Sequence, residues 1–168
     1  MSIDKNLVEG ENMAKIKQIK ESELFKDFSD KEIAVISQIV SERKFPANTP
    51  IFVENMLGES LFLIKSGTIE ISKNIPQIGE TKFLTIGAGE FFGEMAVLDG
   101  GSRLVSAKVT EEAELLIMSG DAFKTLSESE PMVCLKMLLS IIKITTKRFR
   151  ENIANFDEFM AWKLGYKK

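Results

Sequence analysis

The chain has 168 residues, enough for one domain with helical additions, and 44% of them are hydrophobic, which excludes disorder throughout. Its 22 Lys and Arg stand against 25 Asp and Glu, so the formal net charge of -3 argues against a dedicated nucleic-acid binder. The sequence contains no histidine, which excludes Ser-His-Asp and Cys-His catalysis and every imidazole-dependent metal site. We therefore expect neither an enzyme nor a metal protein.

Cysteine content and hydropathy indicate where in the cell the protein is expected. The single cysteine, Cys134, lies in a segment predicted to be a buried helix, where a thiol acts as a small hydrophobic group. The first 18 residues are too charged for a signal peptide, and no apolar run approaches the roughly 20 residues that span a bilayer. We expect a cytoplasmic protein with no membrane partner.

The N-terminal part of the chain is predicted to be helical. Residues 1–23 alternate charges with scattered apolar residues, which indicates a partly helical extension. Ser29-Asp30-Lys31-Glu32 matches a capping box, in which Ser29 and Glu32 each satisfy a free amide at a helix start. We predict a helix from about Asp30 to Glu42, because Phe45-Pro46 ends the helical pattern.

From Phe45 to Ile117 the sequence consists of short apolar or alternating runs separated by Gly, Asn and Pro, which predicts an all-β barrel or jelly roll. Within residues 68–72 apolar and polar residues alternate strictly, so Ile69 and Ile71 should face inward. Turn-forming residues over 74–79 predict a hairpin tip.

The last part of the chain is predicted to be helical again. Phe123 and Leu126 share one helix face, and Pro131 suits the first position of a long helix that we predict to reach about Phe156. That helix is apolar around much of its circumference, so the β-domain cannot cover all of it. We predict that the uncovered face binds a second copy of the chain or another protein, and a homodimer is the simpler of the two. The predicted divisions are an extension at 1–23, a β-roll with its leading helix at 24–130, and a long helix with a tail at 131–168.

Residues 89–106 carry the most chemical information. After a strand that ends at Phe92, Gly93 permits a tight turn, and Met95 to Leu98 can form one helical turn whose free amides bind an anion. Arg103 can fold back toward those amides and offer a donor fork matched to a phosphodiester, while Glu94 can accept a sugar hydroxyl. The alternative is that Glu94 and Arg103 form an ordinary surface ion pair across a turn.

This segment and its flanks resemble the cyclic-nucleotide-binding domain family over about Leu24 to Asn152. The family's phosphate-binding cassette reads F-G-E-apolar-A followed by an arginine, and here Phe92-Gly93-Glu94-Met95-Ala96 precedes Arg103 at the matching interval. Residues 45–52 and 58–67 resemble the family's entry strands and turn glycines. The resemblance implies a mainly β fold: a β-roll or jelly-roll barrel with N-terminal helices, a short cassette helix and a long C-terminal helix.

The resemblance also implies roles for individual residues. Glu94 would accept the ribose 2'-hydroxyl, Arg103 would pair with the cyclic phosphate, and amides near Ala96 and Leu104 would complete the phosphate cradle. The predicted ligand-binding residues are Ile71, Phe83, Ile86, Gly93, Glu94, Met95, Ala96, Arg103, Leu104 and Val105, of which Ile71, Phe83, Ile86 and Val105 form the apolar wall. The family covers the base with the helix after the barrel, which makes Ile144, Thr145, Arg148 and Phe149 candidates for a lid.

Two departures from the family pattern bear on function. Asn48 and Asn55 replace turn glycines, which the fold tolerates because Asn adopts left-handed geometry readily. Leu104 follows the arginine where the family has a small residue, and it lacks the hydroxyl that reaches guanine in members favouring cGMP. We therefore predict a cAMP-binding regulatory module without a cofactor, which signals to an unknown protein partner through its C-terminal helix; cGMP is the less favoured ligand and a cyclic dinucleotide stays open. The alternative, favoured if the branched side chain of Leu104 crowds the phosphate, is a ligand-free fold that acts as a dimerisation or interaction scaffold.

Overall fold

The computed structural model describes residues 15–163, with side chains described for residues 15–153. Its helices are α1 over 15–21, α2 Asp30–Ile39, α3 Glu94–Asp99, α4 Gly120–Ser129 and α5 Pro131–Lys163. Its strands are β1 Ser41–Phe45, β2 Pro50–Phe52, β3 Ser60–Ile75, β4 Gly79–Ile86, β5 Phe91–Phe92 and β6 Ser106–Ser119. Residues 1–14 of the predicted extension and 164–168 of the predicted tail lie outside the described range.

The strands form one antiparallel sheet that is bent into a roll. Its order is β1-β6-β3-β4, with β2 paired to β6 and β5 paired to β3. The long strands β3 and β6 pair along most of their length, and their register shifts between Ile64 and Ile69. Such irregularities increase twist and bend a strand. The predicted mainly β roll with flanking helices is confirmed.

Gly67 lies at this bend and has a positive φ of 87°. A Cβ atom there would lie 2.4 Å from the carbonyl oxygen of Glu112 and 2.6 Å from the Cα of Ala113. The approach of β3 to β6 therefore requires a residue without a side chain.

Two hydrophobic cores result from this arrangement. The interior of the roll is filled by inward-facing strand residues, and Ile69 and Ile71 are both buried there, as the alternating pattern predicts. The second core lies between the outside of the roll and the helices. Ile19 of α1 is buried in it, so the described part of the N-terminal extension packs against the domain. The division at 1–23, 24–130 and 131–168 stays a prediction.

Helix α2 begins as predicted but is shorter than predicted. The Glu32 amide donates to Ser29 Oγ at 3.4 Å, and the Ser29 amide donates to Glu32 Oε2 at 2.7 Å, so both halves of the capping box are present. The helix ends at Ile39 rather than Glu42, because Ser41 already pairs with Ile117 in the sheet. Pairing in the sheet thus overrides the local helical pattern.

The turns have the conformations that their residues favour. The β3–β4 hairpin turns over residues 75–79, where the Ile78 amide donates to the Ile75 carbonyl at 3.1 Å and Gln77 has φ 70°. Asn48 and Asn55 have φ of 65° and 69°, which is the left-handed geometry expected where asparagine replaces a turn glycine.

Helix α5 begins at Pro131 as predicted and continues to Lys163, beyond the predicted end at Phe156. One face is buried against the roll and the other helices through Val133, Met137, Ile141 and Ile144. Cys134 is buried beside them, and this burial raises the pKa of its thiol, in agreement with a structural role. Within residues 15–163, none of the helices has both the length and the apolarity needed to cross a membrane.

Candidate functional site

The site is built around the turn from β5 into α3. Gly93 caps α3 with φ 78° and ψ 9°, and the six-residue helix ends at Gly100, which also has a left-handed conformation. A Cβ atom on Gly93 would lie 2.7 Å from Arg103 Nη1 and 3.0 Å from the carbonyl oxygen of Ser60. Glycine is therefore needed both for the backbone angle and for the close approach of the arginine, as the sequence predicts. The first amides of α3 have no acceptor within the helix and can bind an anion.

Arg103 lies beneath this turn and is only 5% exposed. Its Nη1 donates to the Gly93 carbonyl at 2.8 Å, and its Nη2 donates to the Ser60 carbonyl at 2.7 Å. The guanidinium lies 4.1 Å from the centre of the Phe52 ring, within cation–π range. Its Nε atom is buried without a hydrogen-bond acceptor among the described residues. The guanidinium is thus held in one orientation, and its Nε–H has no partner among those residues.

Electrostatics at Arg103 favour an anion. Burial lowers the pKa of the Arg103 guanidinium, and the negative charges of Glu94 and Glu59 act in the opposite direction. Arginine stays protonated in proteins, so the lowered pKa reflects the unfavourable removal of a cation from water. A bound anion would offset that cost.

Glu94 is the first residue of α3 and is 8% exposed. Within the described part of the chain, Glu94 and Arg103 form no ion pair at 4.0 Å or less, although both line the same cavity. The alternative of an ordinary surface ion pair is therefore wrong, because both side chains are buried and Arg103 donates to backbone carbonyls. Glu94 is left with a carboxylate that can accept hydrogen bonds from a ligand.

The cavity has a volume of about 330 Å³ and lies between the roll, α3 and α5. The apolar wall of the roll and the polar cassette meet in it, an arrangement typical of small-molecule sites. Of the residues predicted from the sequence, those that line it are Ile71, Ile86, Gly93, Glu94, Met95, Ala96, Arg103, Leu104, Val105 and Arg148.

Phe83 is a correction to the predicted apolar wall. Its side chain is 52% exposed and does not line the cavity, whereas Leu84 and Ile86 do. Alternate residues of a strand face opposite sides, so residues 83 and 86 cannot share a face without an irregularity between them. The register passes from Ile71↔Leu84 to Ser72↔Lys82, which leaves Phe83 unpaired at a bulge and outside the wall.

Three of the four lid candidates are also corrected. Ile144 is buried in the core between α5 and the roll, Phe149 is exposed, and Thr145 does not line the cavity. From α5, Arg148 reaches it together with Glu151 and Asn152. Residues three and four positions apart share a helix face, so the pattern that placed Arg148 on the lid could also have found Glu151 and Asn152.

Other lining residues were missed by the sequence-based prediction. They are Phe52, Leu84, Thr85, Glu90, Phe92 and Ser102. Glu90 and Phe92 lie in the cassette segment and could have been found there, whereas Phe52 enters the site only through its packing under Arg103. Among the residues that the structure describes, no group of three acidic or cysteine side chains could hold a metal ion.

Comparison with known proteins identifies the arrangement. A family model described as the cyclic nucleotide-binding domain matches residues 42–130. The cyclic AMP receptor protein of Thermus thermophilus is 30% identical over 139 residues, which are 83% of this chain and 62% of that protein. The CRP-like cAMP-activated global transcriptional regulator of Mycobacterium tuberculosis is 26% identical over 132 residues, or 79% of this chain and 58% of that protein. The chain thus spans about three fifths of the length of these relatives.

Solved structures share the fold. A cyclic nucleotide-binding domain from Methylobacillus flagellatus has a TM-score of 0.78 and 27% identity, covering 87% of this chain and 82% of that one. The catabolite activator protein of Thermus thermophilus has a TM-score of 0.73 and 28% identity, covering 83% of this chain and 63% of that one. Because the family model covers more than half of the sequence and these structures share its architecture, the chain belongs to the cyclic nucleotide-binding domain family.

Proposed function

We propose that this chain is a regulatory module that binds a cyclic nucleotide, cAMP in preference to cGMP, and reports its occupancy through α5. The observation that carries the proposal is Arg103: a buried, rigidly held guanidinium that lines a cavity and forms no ion pair among the described residues. Burying a charge that forms no ion pair is costly, and an anionic ligand bound at Arg103 would offset that cost.

The cavity offers a complementary group for each part of a cyclic nucleotide. Arg103 and the first amides of α3 suit the cyclic phosphate, and the Glu94 carboxylate suits a ribose hydroxyl. Ile71, Ile86 and Val105 supply an apolar wall for the sugar and base. These groups bind and orient a ligand without breaking a bond, and we propose a regulatory rather than an enzymatic role.

Signalling through α5 requires that the ligand and the helix contact each other. Arg148 of α5 lines the cavity, and its Nη1 donates to the Phe91 carbonyl at 2.9 Å, next to the cassette. A ligand shifts the position of a helix only by binding its alternative positions with different affinities. Arg148 gives α5 a direct contact through which such a difference can arise.

A second copy of the chain is the partner that we propose for the outer face of α5. Met132, Leu135, Leu139, Ile142, Phe149 and Ile153 are all exposed on it. We call this set the α5 stripe. Its spacing of three and four residues, with Thr146 in the one intermediate position, is the repeat of a coiled-coil seam. Self-pairing along the α5 stripe would bury these side chains and make the module a homodimer.

Leu104 is the residue on which the alternative function depends. Its side chain is 53% exposed at the edge of the cavity, and its carbonyl accepts a hydrogen bond from Lys73 Nζ at 2.8 Å. Since more than half of the side chain is exposed, Leu104 does not fill the cradle, which favours binding. Should it nevertheless block the phosphate, the chain would be the ligand-free scaffold, working through the α5 stripe.

Calorimetric titration of the nucleotide-stripped protein with cAMP, cGMP and 5'-AMP tests the proposal. We expect saturable binding of cAMP at micromolar affinity or better, and no binding of 5'-AMP. Arg103→Ala should weaken cAMP binding by about 100-fold, since it removes one partner of a buried charged pair. Arg43→Ala, the same change at an exposed arginine of β1, is the control and should bind as the unmodified chain does.

Folding of the Arg103 variant is checked by circular dichroism, and Arg103→Lys, which keeps the charge but loses the fork, should bind with intermediate affinity. Absence of heat and of a thermal shift with every nucleotide would reject the sensor and leave the scaffold.

A further inference from the structure

The rim of the cavity carries a charged pair, Glu90 and Arg148, in which, within residues 15–153, each side chain forms one hydrogen bond and has a second polar atom that forms none. Arg148 reaches the rim from α5. Its Nη1 donates to the Phe91 carbonyl at 2.9 Å, and its guanidinium lies 4.8 Å from the centre of the Phe91 ring. These two contacts fix the orientation of the guanidinium. Its Nη2 is buried and has no hydrogen-bond acceptor among the described residues.

Glu90 approaches the same point from the roll, directly before β5. Its Oε2 accepts the Gly87 amide at 2.8 Å, which holds the carboxylate in place. Its Oε1 lies 3.7 Å from Arg148 Nη2, close enough for charge attraction but too far for a hydrogen bond. Both residues line the cavity that also contains Arg103 and Glu94. A donor, Arg148 Nη2, and an acceptor, Glu90 Oε1, therefore lie side by side at the rim. The second nitrogen of the guanidinium and the second oxygen of the carboxylate hold the two side chains in place.

The chemistry of this pair matches one purine edge and conflicts with another. A guanidinium only donates hydrogen bonds and a carboxylate only accepts them. Adenine presents a donor, its N6 amino group, next to an acceptor, N7, whereas guanine presents two acceptors, O6 and N7, along the same edge. Adenine can satisfy Glu90 and Arg148 together. Guanine would place O6 against the Glu90 carboxylate, and that repulsion would select against it.

We infer that Glu90 and Arg148 together read the base, with Glu90 accepting from the adenine amino group and Arg148 donating to N7, and that Glu90 excludes guanine. This inference rests on the proposed function, because it concerns the ligand of the same cavity. It gives the preference for cAMP a cause on the rim, in addition to the missing hydroxyl at Leu104. It also links the identity of the base to α5, since Arg148 belongs to that helix.

The test compares affinities for cAMP, cGMP and 7-deaza-cAMP by calorimetry in the unmodified protein and in Glu90→Gln. The unmodified protein should bind cAMP at least tenfold more tightly than cGMP, and 7-deaza-cAMP, which lacks N7, several-fold more weakly than cAMP. Glutamine can still accept from Gly87, but its amide group can also donate to O6. Glu90→Gln should therefore lower the ratio of cAMP to cGMP affinity by about tenfold, within the range that a specific pair of base contacts provides.

Glu128→Gln is the matched control, since it makes the same charge change at an exposed position of α4 and should leave the ratio unchanged. Equal affinity of the unmodified protein for cAMP and cGMP would overturn the inference, as would an unchanged ratio in Glu90→Gln or the same shift in Glu128→Gln. In each of these cases a cyclic nucleotide still binds, so the proposed binding and regulatory role stands, and equal affinity for cAMP and cGMP removes only its preference for cAMP. If none of the three nucleotides binds, both the inference and the proposed function are overturned. The comparison of cAMP with 7-deaza-cAMP needs no variant. Equal affinity of the unmodified protein for these two ligands would contradict the contact between Arg148 and N7.

Discussion

The absence of a side chain at Gly58 leaves room for Arg103 to stack on the Phe52 ring. A Cβ atom on Gly58 would lie 2.0 Å from the Cβ of Ala96 and 3.2 Å from the guanidinium carbon of Arg103. Neither neighbour can give way easily, because Ala96 belongs to α3 and Arg103 is held by two carbonyls. The loop that contains Gly58 therefore determines how closely the cassette and the arginine pack.

Gly58→Ala should destabilise the fold by about 1–3 kcal/mol, the usual cost of overpacking, and should also weaken nucleotide binding by displacing Arg103. Urea unfolding and calorimetry measure the two effects. Gly87→Ala is the control, because a Cβ there meets nothing within 4 Å and should change stability by less than about 0.5 kcal/mol. Equal urea midpoints for the two variants would show that Gly58 does not constrain the site.

Some site residues could be predicted from the sequence and others could not. Gly93, Glu94 and Arg103 lie in one short segment, and the resemblance of that segment to the family's cassette was enough to assign them to one site. Phe83 was misplaced because the family resemblance put it in the wall, although alternation along β4 puts residues 83 and 86 on opposite faces. The side of α5 that faces the cavity depends on how the helix packs against the roll. The spacing of residues along the helix therefore did not distinguish Ile144, which packs in the core, from Arg148, which lines the cavity.

At the scale of the secondary-structure elements, the capping box of α2 connects two helices. Glu32 accepts the Ser29 amide at the start of α2 and forms an ion pair with Lys136 of α5 at 2.9 Å. These contacts lower the pKa of Glu32 from its ordinary value of 4.5 to about 2. The hydrogen bond from the Ser29 amide has the largest effect and the contact with Lys136 the second largest. The ionised carboxylate thus stabilises both the helix start and the docking of α5.

Because the folded-state pKa of Glu32 is lowered, its contribution is complete above about pH 4.5 and is lost as the pH falls toward 2. Glu32→Gln should cost about 1 kcal/mol at pH 7, since the pair is partly solvated, and the difference should shrink between pH 4.5 and 2. Urea midpoints across this range provide the measurement. Glu21→Gln, which removes an exposed pair with Lys17 at 3.9 Å, should have little effect at any pH. A difference for Glu32→Gln that is constant with pH would exclude a charge effect.

The elements themselves were largely predictable because the signals that define them are local. The capping box, the strict alternation over residues 68–72 and the proline before α5 each predict an element or its start from its own residues. The end of α2 was predicted too late, because the pairing of Ser41 with Ile117 depends on a strand far away in sequence. The same distance explains why the order of strands in the sheet required the structure.

At the scale of the whole molecule, α5 has two different faces with different tasks. The inner face is buried in the core and, through Arg148, lines the cavity. The outer face carries the α5 stripe, whose side chains are exposed. If a second copy covers the stripe, any movement of α5 caused by a ligand reaches the dimer interface directly. Ligand binding and the geometry of the dimer would then be linked by one rigid element.

Leu139→Asp tests this arrangement, because it places a charge in the middle of the α5 stripe on the side away from the cavity. We expect the unmodified chain to sediment as a dimer and Leu139→Asp to sediment as a monomer, since an unpaired charge inside a hydrophobic seam is costly. Ser127→Asp, the same charge change on the exposed surface of α4, should remain dimeric.

If the stripe also transmits the signal, cAMP should change the dimer dissociation constant of the unmodified chain, and the monomeric variant should bind cAMP with an altered affinity. A monomeric unmodified chain would refute self-pairing, whereas a dimer whose dissociation constant is the same with and without cAMP would separate assembly from signalling.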